Sequence, residues 1–114
     1  MQPHWPKIAG KVLVSATVQL SLGSLELPSR FMIRSLIRTQ EAVDATISEM
    51  YSYIVIGLLW AIGTTILMYV QHYYAGAVAN ILVNLLCIWW IVYRRYTVLV
   101  ETAAKYGLQV KSLL

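Results

Sequence analysis

Two apolar runs, residues 51–70 and 75–93, dominate the pattern of this chain, with Gln71-His72-Tyr73-Tyr74 between them. No Lys, Arg, Asp or Glu falls between Tyr51 and Tyr93. A helix of about 20 residues crosses the ~30 Å hydrocarbon layer of a bilayer. Lipid offers no partner to an open backbone N–H or C=O, so helix is the form expected of each run. The pattern predicts an all-α membrane protein built on a two-span transmembrane helical hairpin.

Upstream, the period changes. Ser15, Thr17, Gln19 and Ser21 alternate with Ala16, Val18, Leu20 and Leu22, and Gly23-Ser24 follows. A period of two ending in a Gly-Ser pair predicts a short extended or β-hairpin segment over residues 12–27. A lone hairpin is marginal in water, so Val18, Leu20 and Leu22 are assigned to contact with a partner strand or, alternatively, with the membrane surface. Residues 1–11, with Pro3, Pro6 and Gly10, read as an extended tail in which His4 and Trp5 touch headgroups or a partner.

Ser29 is a candidate N-cap behind Pro28, and neither Gly nor Pro recurs before Gly57. A single helix is therefore expected from Ser29 through the first span, its first half projecting from the bilayer. Its apolar positions recur at heptad spacing: Ile33, Leu36, Val43, Ile47, Met50 and Ile54, with Gln40 the polar member. Such a stripe calls for a partner helix. The divisions expected are a 1–28 arm, a 29–50 amphipathic helix, spans at 51–70 and 75–93, an outer loop at 71–74, and a helical extension with a docked tail at 94–114.

Within the spans, Gly57, Ala61 and Thr65 stand four residues apart, and Gly76, Asn80 and Asn84 do the same. Small residues let helices approach closely, and an unpaired amide in hydrocarbon is costly, so both sets should face protein. Folding the chain back at 71–74 brings Thr64 and Thr65 level with Asn80. An intra-hairpin clamp, a contact with another subunit and a polar path for ions or water are the three readings of the asparagine pair.

Charge fixes the orientation. All nine Lys and Arg lie outside the hairpin, and none lies in its loop. The positive-inside rule then places both termini on the cytoplasmic or equivalent inner side. Arg30, Arg34 and Arg38 share a helix face, and Arg94 and Arg95 follow the second span. All five suit anionic lipid headgroups or an acidic partner, or simply a solvated face.

The composition agrees with a membrane setting: 114 residues, 59% hydrophobic and 12% charged, with mean hydropathy +0.64, against about 25% charged in soluble domains. A secretory signal peptide and lipidation motifs are not expected. No nucleophile–base set, phosphate loop or metal-ligand spacing is visible. The lone Cys87 reads as a small apolar residue, and neither His4 nor His72 has a second ligand nearby. Catalytic, cofactor-binding and metal residues are therefore not assigned, and nucleic acid and small-molecule substrates are not expected. The function expected is that of a non-catalytic structural or assembly subunit of a larger membrane complex. Its partners would be other membrane subunits, in a hetero-oligomer before a homo-oligomer, and anionic lipid. The alternative is a small homo-oligomeric channel or holin-like pore.

Overall fold

The computed structural model describes residues 5–110, and within them every regular element is a helix. In chain order these are α1 (Trp5–Glu26), α2 (Arg30–Leu36), α3 (Gln40–Val70) and α4 (Tyr74–Lys105). Three long helices lie side by side in a rod of 60 × 21 × 18 Å. α3 and α4 form the antiparallel pair, and α1 packs on both.

The segment expected as a β-hairpin is helical, which is the main correction to the sequence reading. Its polar alternation conceals two helical stripes. Ser15 and Gln19 are four apart and buried, while Thr17 and Ser21 are four apart and exposed. The exposed hydroxyls bond their own helix: Thr17 Oγ1 donates to the Leu13 carbonyl, Ser21 Oγ to Thr17 and Ser24 Oγ to Leu20, at 2.8–3.0 Å. Residues 12–25 carry no charge, and a helix closes their backbone without a second strand. Val18, Leu20 and Leu22 accordingly stand on a helix rather than a strand, and Leu22 packs against the helical core. Gly23 marks a close approach rather than a turn: a Cβ there would sit 2.7 Å from Ile91 Cδ1. The extended tail is corrected too, since helix begins at Trp5 with Pro6 in its first turn, where a missing N–H costs nothing. His4 lies outside the described residues.

α1 changes the count as well. Three helices rather than two are long and apolar enough to cross a membrane, and the molecule is read as a membrane protein on that basis.

The single long helix expected from Ser29 is broken at residues 37–39. Ser29 caps α2, accepting from the Met32 N–H at 3.2 Å. Thr39 then caps α3, accepting from Ala42 at 3.3 Å. α2 ends where Ile37 turns extended, and the Thr39 cap starts a new helix two residues on, without any Gly or Pro. The break lets α2 fold against α4 and resets the stripe. Ile33 and Ile37 are buried, Leu36 is 55% exposed, Gln40 is exposed, and Val43, Ile47 and Met50 are buried, with Tyr53 taking the core position beside Ile54. That stripe is covered from within the chain: Leu99, Val98 and Ala103 of α4 join its cluster, and Leu108 and Val110 pack against it.

Two similar stops end the long helices. After α3, His72 adopts φ +66°, with Tyr73 N–H bonding Met68 O and His72 N–H bonding Tyr69 O. After α4, Gly107 adopts φ +66°, with Leu108 N–H on Ala103 O and Gly107 N–H on Ala104 O. Both are Schellman stops, and the second uses the residue such a position favours.

Candidate functional site

Three levels of contact along the rod align α1 with the hairpin. At one end Lys11 Nζ donates to Gln71 Oε1 at 2.8 Å, in the middle Gln19 reaches Gly57 and Asn84, and at the other end Arg95 Nε donates to the Pro28 carbonyl at 3.0 Å. α1 thus runs parallel to α4 and against α3. Its start lies beside the 71–73 turn, and the end of α4 lies at the opposite end of the rod.

The middle level is a buried polar layer. Gln19 Nε2 donates to the Gly57 carbonyl at 2.9 Å and to Asn84 Oδ1 at 3.1 Å, while Tyr53 OH donates to Gln19 Oε1 at 3.2 Å. Asn84 Nδ2 donates to Ser15 Oγ at 3.1 Å and to the Asn80 carbonyl at 2.8 Å. Asn80 Nδ2 donates to Thr64 Oγ1 at 2.8 Å and Thr65 Oγ1 at 2.9 Å. Trp60 Nε1 closes the α1–α3 side on the Ser15 carbonyl at 3.0 Å. Gln19, Tyr53, Asn80 and Asn84 are fully buried, and no buried side-chain polar atom lacks a partner among the described residues. In a low-dielectric surround such a network is strong when complete and costly when broken.

Glycine makes room for it. A Cβ on Gly57 would sit 2.9 Å from Gln19 Oε1 and 3.1 Å from Ile88 Cδ1. Gly76 meets Ile8 of α1 in the same way, at 2.8 Å. Of the small-residue sets, Gly57, Ala61, Gly76, Asn80 and Asn84 are buried between helices and Thr65 is half-buried. The sequence reading puts Ser15 and Gln19 in a strand-like alternation, and its packing residues do not include Tyr53 or Trp60. The available signal was the spacing of Ser15 and Gln19, one helical turn apart in a charge-free stretch.

The arginines divide. Arg38 bonds the Tyr106 hydroxyl and lies over its ring, 4.7 Å from the centroid. Arg34 is exposed. Arg30, Arg94 and Arg95 instead line one cavity of about 350 Å³ between α1, α2 and α4, with Ser24 and Ser29. Arg94 stacks over Trp90 at 5.0 Å. A second, open and mainly apolar groove of about 510 Å³ lies between α1 and α3 near the turn, walled by Trp60 and Thr64, with Lys7 and Lys11 at its edge. Groups of three or more His, Cys, Asp or Glu able to hold a metal ion do not occur among the described residues.

No protein-family model, curated protein or solved structure matches the chain.

Proposed function

We propose that this protein is a non-catalytic structural subunit of a membrane assembly, a three-span bundle that crosses the bilayer and carries a polar stalk on its inner side. The observation that carries the reading is the buried polar layer. Gln19, Asn80, Asn84 and Tyr53 are each engaged in fastening one helix to another, which is a scaffold's use of polar groups in lipid. The rod's 60 Å length exceeds the ~30 Å hydrocarbon layer, so much of it projects, and that part presents Arg34, Glu41, Asp44 and Glu49 to partners.

The topology we propose departs from the same-side expectation. Lys7 and Lys11 accompany the 71–73 turn, whereas Arg30, Arg34, Arg38, Arg94, Arg95 and Lys105 gather at the other end. By the positive-inside rule that excess favours the α4 C-terminus inside and the α1 N-terminus, with the turn, outside. The pore alternative draws less support. Asn80 and Asn84, its best pore-lining residues, are turned inward and bonded within one chain.

Mild-detergent extraction of the native protein, followed by mass spectrometry of what accompanies it, tests the reading. Unrelated chains in fixed ratio are expected. A clean monomer would overturn subunit status, and conductance across a bilayer lost in Asn84→Leu would favour the pore.

A further inference from the structure

Arg30 and Arg34 lie four residues apart on α2, yet only Arg30 meets Arg94 and Arg95 around a common cavity. The lining of that cavity holds three guanidinium groups and the Ser24 and Ser29 hydroxyls, and it includes no Asp or Glu. Gathering like charges around one space opposes folding unless an anion occupies it. Guanidinium forks are the donors that suit phosphate oxygens, and the Ser29 hydroxyl adds one, its oxygen accepting from the Met32 N–H while the Ser24 proton is already given to the Leu20 carbonyl.

Position narrows the occupant. Arg94 and Arg95 directly follow the charge-free stretch of α4, and Ser24 stands at the end of that of α1. On the three-span reading, on which this inference rests, the cavity lies at the depth of inner-leaflet headgroups. Its apolar flank is made of Leu20, Phe31 and Trp90, which are 44%, 77% and 51% exposed and stand where acyl chains would run. A soluble anion would have no use for that flank. We propose that Arg30, Arg94 and Arg95 form a specific site for the phosphodiester headgroup of one anionic phospholipid, with its chains laid along Leu20 and Trp90.

Native mass spectrometry of the full chain released from mixed phosphatidylcholine–phosphatidylglycerol nanodiscs tests this. The wild type should retain phosphatidylglycerol selectively. Arg30→Gln and Arg94→Gln should each lower that preference about fivefold, the loss expected for one charge at such a surface. Arg34→Gln removes the same charge one turn away and should leave the preference unchanged, while Arg30→Lys should keep most of it. Arg95 is left intact because it also holds the Pro28 carbonyl. Equal losses in Arg30→Gln and Arg34→Gln would overturn the site in favour of diffuse attraction. Displacement of the lipid by inorganic phosphate would overturn the lipid assignment in favour of a soluble anion. A wild type that enters nanodiscs without preferring either lipid would remove the site alone. A chain soluble without detergent would remove the three-span reading and the site together.

Discussion

Gln19 and Asn84, 65 positions apart, meet side chain to side chain at 3.1 Å in the middle of the bundle. This amide–amide bond joins α1 to α4, and the Gly57 carbonyl on α3 shares the same donor. Gln19 therefore touches both other long helices through hydrogen bonds, as Ser15 does one turn earlier through Thr64 and Asn84.

Replacing Gln19 by Leu should loosen α1 from the hairpin. Interhelical hydrogen bonds in membranes average ~0.6 kcal/mol and reach ~1.7 kcal/mol, so a loss of about 1–2 kcal/mol is expected for this residue. The pairing itself is read from a double-mutant cycle with Asn84→Leu, followed by unfolding in a fixed detergent. A coupling of at least ~0.5 kcal/mol is the expected outcome. Strict additivity would mean that the two amides do not hold one another.

The glycines provide a second contrast. Gly57→Val forces a side chain against Gln19 Oε1 and Ile88, and overpacking of this kind costs ~1–3 kcal/mol. Gly63, one and a half turns further along α3, is exposed with nothing within 4 Å of a Cβ, so Gly63→Ala should change stability by no more than ~0.5 kcal/mol. Thermal unfolding of the two variants, side by side, checks the difference. A Gly57→Val protein as stable as the wild type would show that α1 does not approach as closely as the geometry requires.

The helices α3 and α4 are legible because a long run without charge, if it is to lie in lipid, has one solution. Counting outward from the turn also brings Thr64 and Thr65 level with Asn80, where the hydrogen bonds lie. α1 resists the same reading for a physical reason. Serine and threonine placed every second residue satisfy a strand's period, yet the same residues taken four apart satisfy a helix whose carbonyls accept from their own hydroxyls. Only the burial of Ser15 and Gln19 against Asn84 decides between the two, and that contact spans more than 60 residues. The stop at residues 37–39 is hidden for a similar reason: Thr39 is an unremarkable residue until the chain turns and its hydroxyl becomes a cap.

Topology can be read chemically. In a Cys87→Ser background, single cysteines at Lys7, Gln71 and Lys105 all occupy exposed positions. A membrane-impermeant maleimide added outside should label the Lys7 and Gln71 positions in intact cells or vesicles, and the Lys105 position only after permeabilisation. Protection of the Lys7 position, with Gln71 still labelled, would keep the hairpin and remove the third crossing.

The tail offers the last test. By heptad spacing Gln40 is the polar member of an apolar stripe. In the structure it is exposed and clasps the chain after α4: its Nε2 donates to the Gln109 carbonyl at 2.8 Å, and its Oε1 accepts from the Gln109 N–H at 3.1 Å. This reciprocal pair holds residues 108–110 in place while Leu108 and Val110 pack against the hydrophobic cluster to which Val43 and Leu99 belong. Solvent-accessible hydrogen bonds contribute ~0.5–1.5 kcal/mol each, so losing both in Gln40→Ala should speed amide exchange at Gln109 by about tenfold. Exchange in the middle of α3 and α4 should not change, because opening the tail is local. Unchanged exchange at Gln109 would show that Leu108 and Val110 hold the tail by burial alone and that the clasp adds nothing.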